Sequence, residues 1–306
     1  MKSDWNDSIQ INYTLRDHEI VDYDFYALPT VPGIYFRGPA FDPDDTGDFF
    51  TCVGAAQTLG IYVERPYPTL LSERLGIPVL NLALGAVGPG FYLAHPELID
   101  QINKGRFLIL QVMSARNEAS SRFEPTAVIE MLKDRTTGDV MHSGAAWAVV
   151  KAESEDSAQQ YVDEVLKTWV ANYVALLERI KVPVILFWYS QRASDAVQHT
   201  VAADLDWTMG VFPQFVDNAS LTQIRQLVDG FAECASTRNT GHPLVSRFTG
   251  EPVVADYSVF GRGMEHQETT NPYYPSPEMH EDAAAELHTA IQSMARTVPA
   301  LLPNRD

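Results

Sequence analysis

Two polar stretches follow apolar runs and carry side chains able to do chemistry. Gly54-Ala55-Ala56-Gln57-Thr58 follows Phe49-Phe50-Thr51-Cys52-Val53, and Ala115-Arg116-Asn117-Glu118 follows a run ending at Met113. The Thr58 hydroxyl either caps exposed backbone N–H groups or serves as an anion ligand or displaced nucleophile. Gln57 either donates to a ligand oxygen or sits in its loop. Asn117 is either an oxyanion donor or the anchor of a local turn. His280 stands near the start of the last predicted helix, after Tyr273-Tyr274-Pro275-Ser276-Pro277. Its imidazole titrates near neutrality and suits proton transfer. Arg116 and Arg192 each follow a buried run, with Arg65 and Arg122 placed to reach the same rim. Their guanidinium forks match sulfate, phosphate or carboxylate, or else they pair with Glu118, Glu124 or Asp195 and hold loops. His142, His199, His242, His266 and His288 lack partner spacing and are expected at the surface. No His or Cys spacing resembles a zinc site, and neither metal nor cofactor is expected.

The elements that must position these residues follow from the rest of the pattern. The 306 residues include 45% apolar and 20% charged side chains, an ordinary globular composition. With 22 Lys and Arg against 40 Asp and Glu, the formal charge is −18, which disfavours nucleic acid and anionic membranes as partners. Two cysteines, Cys52 and Cys234, exclude a disulfide framework. No basic-then-apolar leader opens the chain and no run reaches about 18 apolar residues, so a cytoplasmic protein without membrane insertion is expected.

Residues 1–48 read as an extended arm packed on the core, ending in the turn-rich Asp42-Pro43-Asp44-Asp45-Thr46-Gly47. Residues 49–306 read as one α/β domain. Its strands are predicted at 49–53, 78–82, 106–113, 183–189 and 252–254. Helices are predicted at 68–75, 96–103, 159–180, 221–234 and 277–297. Residues 118–156 are too long and polar for a simple connection and read as an insertion or lid. Alternating strands and helices imply βαβ units, a mainly parallel five-stranded sheet and a three-layer α/β/α sandwich. Ligands then bind beyond the carboxyl ends of the strands, which selects loops 54–60, 83–90, 114–122 and 190–194, joined by 271–280.

These loops resemble the sequence blocks of the SGNH (GDSL-type) hydrolases. Gly54-Ala55-Ala56-Gln57-Thr58 occupies the place of that family's Gly-Asp-Ser block and precedes a Pro-led helix. Asn81-Leu82-Ala83-Leu84-Gly85 resembles the second block, Ala115-Arg116-Asn117-Glu118 the third, and Pro277-Glu278-Met279-His280 the last. The chain also resembles an uncharacterised bacterial branch with Gly-Ala-Ala-Gln-Thr at the first block. The resemblance implies oxyanion donors at Gly85 and Asn117, a general base at His280 and a nucleophile at residue 56. Ala56 has no oxygen, so no acyl-enzyme forms there. Pro277 fills the place of the aspartate that would orient the histidine.

Three functions stay open at this level. The first is an SGNH-type enzyme with an altered site, acting on an ester or decorated carbohydrate. The second is a transferase whose arginine rim holds an anionic sulfated or nucleotide donor. The third is a non-catalytic binding protein on the same fold. In each, the partner is a small molecule or carbohydrate.

Overall fold

The computed structural model describes residues 4–43, 47–126, 130–196, 210–260 and 265–302. The Asp44-Asp45-Thr46 part of the predicted turn, and His199, lie outside the described residues.

Five strands form one sheet: β1 (Phe50–Val53), β2 (Val79–Asn81), β3 (Leu108–Gln111), β4 (Val184–Ser190) and β5 (Gly230–Ala235). Their order is β5-β4-β3-β1-β2, and every pairing is parallel. All seven residues of β4 are buried, as expected of a strand covered on both faces. In this order the chain winds outward in opposite directions from β1 and β3. Their carboxyl ends therefore bound the crevice where connections diverge.

Alternate side chains feed two apolar layers. Val53, Leu108, Leu110, Leu186 and Trp188 face the helix Glu155–Leu177. The Trp169 Nε1–H of this helix donates to Met113 O at 2.9 Å, and the Tyr173 hydroxyl donates to Gln111 O at 3.0 Å. Phe50, Cys52, Ile109, Phe187 and Tyr189 face the opposite layer, made by Tyr67–Leu75 and the closing helix Pro277–Met294. Pro68 suits the first turn of Tyr67–Leu75, and Gly76 ends it at φ 66°, as the sequence predicts.

The fifth strand differs from the prediction. The helix expected at 221–234 ends at Arg225, and 230–235 is the edge strand β5 instead of 252–254. Pro252 forms only an isolated bridge with Val245. A short run with mixed apolar spacing fits either period, and parallel pairing with β4 decides it. Gly230 also permits close approach of the closing helix, since a Cβ there would lie 2.2 Å from Met294 Sδ.

The N-terminal arm is not wholly extended: it contains the helix Asp4–Asp17 and an antiparallel pair, Tyr26–Ala27 with Tyr35–Phe36. Residues 118–156 form a three-stranded antiparallel sheet followed by the helix Ser143–Glu153. Arg37 fastens the arm to the core. Its guanidinium donates to Leu59 O (3.0 Å), Gly60 O (2.7 Å), Val63 O (2.6 Å) and Glu64 O (2.8 Å) while 3% exposed. Replacing Arg37 by Met leaves these carbonyls without their donor in a water-poor setting. A loss of about 3 kcal/mol is expected in urea unfolding, and Arg37→Lys recovers only part of it because it lacks the fork.

Candidate functional site

The first site loop is shaped from below. Gly54 ends β1 where a Cβ would come within 2.4 Å of Gln111 Oε1 and 2.5 Å of Thr58 Oγ1. That Gln111 oxygen accepts from Ala55 N at 2.9 Å and from the Thr58 hydroxyl at 2.6 Å. Thr58 also lies 2.9 Å from the Tyr67 hydroxyl. It is fully buried beneath the loop, so its hydroxyl neither caps the short helix Ala56–Leu59 nor lines the cleft. Ala56 and Gln57, the two residues before it, line the cleft.

From β2, the Asn81 side chain shapes the second loop by accepting from Ala83 N at 3.1 Å. Gly85 lies under Tyr13, whose hydroxyl would stand 2.3 Å from a Cβ at that position. The arm therefore covers Gly85, and Ala86 and Val87 supply the cleft wall instead. From β3, Asn117 donates to Ala86 O at 2.6 Å and ties the second and third loops together. Its Oδ1 has no hydrogen-bond partner among the described residues.

The resulting cleft holds about 90 Å³. Ala56, Gln57, Ser114, Arg116 and Asn117 form its floor at the ends of β1 and β3. Sequence reasoning missed the rest. Tyr13 and Arg16 come from the arm, Glu130 and His142 from the insertion, and Gln214, Tyr257, Tyr273 and Tyr274 from the later loops. Only the tyrosine pair before the closing helix gave a signal in the sequence.

Gln57 and Gln214 are 3% and 0% exposed, and each has a carbonyl oxygen without a partner among the described residues. The amide of Gln214 instead donates to the Tyr273 hydroxyl at 2.7 Å.

Both cleft arginines are neutralised by carboxylates. Arg16 pairs with Asp17 through contacts of 2.5 and 2.8 Å and lies 4.5 Å from the Tyr257 ring. Arg116 pairs with Glu130, not with Glu118. Burial raises the Glu130 pKa, but Arg116 and His142 outweigh it and hold the carboxyl at about 2. His142 is drawn into this group rather than lying free at the surface as expected. Its Nδ1 accepts from Gly144 N at 3.1 Å, which leaves the proton on Nε2, 3.0 Å from Glu130. Both ring nitrogens are thus engaged.

The remaining predicted site residues are not brought to the cleft. His280 is fully buried between Tyr67 and Tyr189, in the layer under the closing helix. Its Nδ1 accepts from Tyr67 N at 3.0 Å. Burial, with Arg37 adding repulsion, lowers its pKa to about 3. No hydroxyl of Thr58, Ser114 or Ser190 bonds to it: Ser114 donates to Gln214 O and Ser190 to Phe212 O. Arg192 donates to Pro213 O at 3.0 Å and Val216 O at 2.8 Å, with its guanidinium over Trp188. Arg65 pairs with Glu73, and Arg122 with Asp134 and Glu153. The rim of four arginines predicted from the strand ends therefore reduces to Arg116. Among the described residues, no group of three or more His, Cys, Asp or Glu side chains is arranged to hold a metal ion. No helix among them is long and apolar enough to cross a membrane.

Several solved structures are similar to this chain at low sequence identity. An acetyl xylan esterase from the rumen bacterium Butyrivibrio proteoclasticus is 11% identical, with 88% of this chain and 68% of that chain covered and a TM-score of 0.40. TesA is 9% identical, with 80% and 99% covered and a TM-score of 0.39. A candidate SGNH hydrolase from Slackia heliotrinireducens is 12% identical, with 79% and 97% covered and a TM-score of 0.35. No curated protein matches the chain. A family model does, over residues 12–124 and 147–295, and the chain belongs to that family, described as Domain of unknown function (DUF6473).

Proposed function

We propose that this chain is an SGNH-like protein with an altered site, whose cleft binds a small polyhydroxylated ligand, a carbohydrate or its ester, with no covalent intermediate at residue 56. The observation that carries this reading is the pair of buried glutamines. Gln57 and Gln214 both line the cleft that Ala56 floors with a methyl group, and each carries a buried carbonyl oxygen without a partner among the described residues. A buried acceptor left without a donor costs about 1–3 kcal/mol, and ligand hydroxyls are the donors that recover it. Tyr257, Tyr273 and Tyr274 add aromatic faces and hydroxyls to the same walls.

The charge arrangement supports a neutral ligand over an anionic donor. Arg16 and Arg116 already hold carboxylates, so a phosphate or sulfate would have to displace Asp17 or Glu130. Among the described residues, the cleft does not bring a hydroxyl and an imidazole together at residue 56. Residue 56 carries no hydroxyl, His142 has both nitrogens engaged, and His280 lies in the layer below. Binding without acyl transfer is the chemistry these groups support.

Calorimetric titration with a panel of neutral mono- and disaccharides and their acetyl esters tests the reading. At least one is expected to bind. Gln57→Leu is expected to weaken that binding at least tenfold, about 1.4 kcal/mol, while leaving the free protein as stable as before or more so. Unchanged binding in the variant, or no binding by any member, sinks the assignment. A second measurement addresses the lost nucleophile. Ala56→Ser is expected to hydrolyse p-nitrophenyl acetate no faster than the parent chain, because no imidazole base meets the restored hydroxyl. A hydroxyl-dependent burst of nitrophenol would overturn this, because it requires an imidazole, His142 or His280, to reach residue 56.

A further inference from the structure

Beyond the wall of Ala86, Val87 and Asn117 lies a second, larger cavity of about 730 Å³. Glu118 lines it, yet the residue is only 3% exposed. Its Oε2 accepts from the Asn172 amide at 2.6 Å, and its Oε1 has only a long contact, 3.5 Å, from Gly90 N. Two glycines leave room for the carboxyl: a Cβ at Gly88 would lie 2.5 Å from Oε1, and one at Gly90 3.2 Å from Oε2.

No Lys or Arg side chain among the described residues forms an ion pair with Glu118. The adjacent Arg116, the obvious candidate by sequence, is held by Glu130. Burial raises the Glu118 carboxyl to about 7, with the Asn172 and Gly90 hydrogen bonds opposing the rise. Other titratable groups stand around it. Tyr173 comes from the same long helix as Asn172, with its hydroxyl bonded to Gln111 O. Glu97 and Glu130 line the cavity, and Glu130 is neutralised by Arg116. His95 also lines the cavity, and its Nδ1–H donates to Phe91 O at 2.8 Å, since a carbonyl only accepts. Between these groups the walls are apolar, with Ile34, Val87, Phe91, Leu93 and Leu132.

A buried carboxyl without a cation, at the end of an apolar-walled cavity, is complementary to a cation on an apolar stem. We propose that this cavity is a binding site for a primary amine, whose ammonium group pairs with Glu118 while its hydrocarbon stem packs on Ile34, Val87 and Phe91. The oxygens of Glu118 retain lone pairs beyond those used by Asn172 and Gly90. Asn117, whose buried Oδ1 has no hydrogen-bond partner among the described residues, lines the same cavity. The site uses none of the cleft glutamines, so it stands independently of the carbohydrate reading.

The pair n-butylamine and n-butanol tests it, since they share a stem and differ in charge. Binding to the full chain is followed by amide shifts in NMR titrations at pH 6 and pH 8. An alkylamine with a pKa of about 10 stays charged across this range, while a carboxyl near 7 passes from mostly protonated to mostly ionised. Butylammonium affinity is therefore expected to rise about tenfold from pH 6 to pH 8, whereas butanol affinity stays constant. At pH 8 the amine is expected to bind at least tenfold more tightly than the alcohol, and Glu118→Gln to reduce it to the level of the alcohol without pH dependence. Equal binding of amine and alcohol at pH 8, pH-independent amine binding, retained amine binding in Glu118→Gln, or no binding of either probe each overturns the proposal. The pH comparison uses the parent chain, so it decides even if the variant fails to fold.

Discussion

The site depends on one buried side-chain oxygen. Gln111 Oε1, at the end of β3, reaches across to β1 and accepts from both Ala55 N and Thr58 Oγ1. This cross-strand hold turns the chain sharply after Val53 and places Ala56 and Gln57 at the crevice while Thr58 points inward. It also explains why residue 54 is glycine, since any Cβ would collide with the two oxygens that make the hold. Each neutral hydrogen bond contributes only about 1 kcal/mol net, but a buried amide left unpaired costs more. Gln111 therefore matters more for the geometry it dictates than for the stability it adds.

The two cavities sit side by side and share Ala86, Val87, Asn117 and Glu130, yet their electrostatics oppose one another. The cleft over β1 and β3 contains two arginines, each matched by a carboxylate, beside two buried amide oxygens without partners among the described residues. In the larger cavity Glu118 has no Lys or Arg ion pair among the described residues, and Ile34, Val87, Phe91, Leu93 and Leu132 add hydrocarbon to the walls. Glu130 lines both spaces and holds Arg116 in an ion pair. A neutral hydrogen-bond donor suits the first space and a cation the second.

The cleft is completed by segments distant in the chain. The arm brings Tyr13 over Gly85, and Arg37 clamps the arm to the carbonyls that follow β1. The insertion brings Glu130 and His142, both held by charge and helix capping rather than by apolar packing. The polar pairs around the cleft consume the charges that would otherwise make it a general anion site.

Much of the sheet was legible because a buried parallel strand must be apolar along its whole length. Val184–Ser190 and its neighbours show that signature in the bare sequence, as do the cap glycines and the long helix that covers one face. The loops at the strand ends could likewise be located, and with them Ala56, Gln57, Arg116 and Asn117. Strand β5 was misassigned because six residues of mixed apolar spacing satisfy either period until a partner strand is present. Tertiary packing alone decided that Arg116 pairs with Glu130, that Arg192 holds backbone carbonyls, that His280 is sealed between tyrosines and that Glu118 is left without a cation. The physical reason is that backbone periodicity is a local property written in side-chain type, whereas charge pairing and burial depend on distances between residues far apart in the chain.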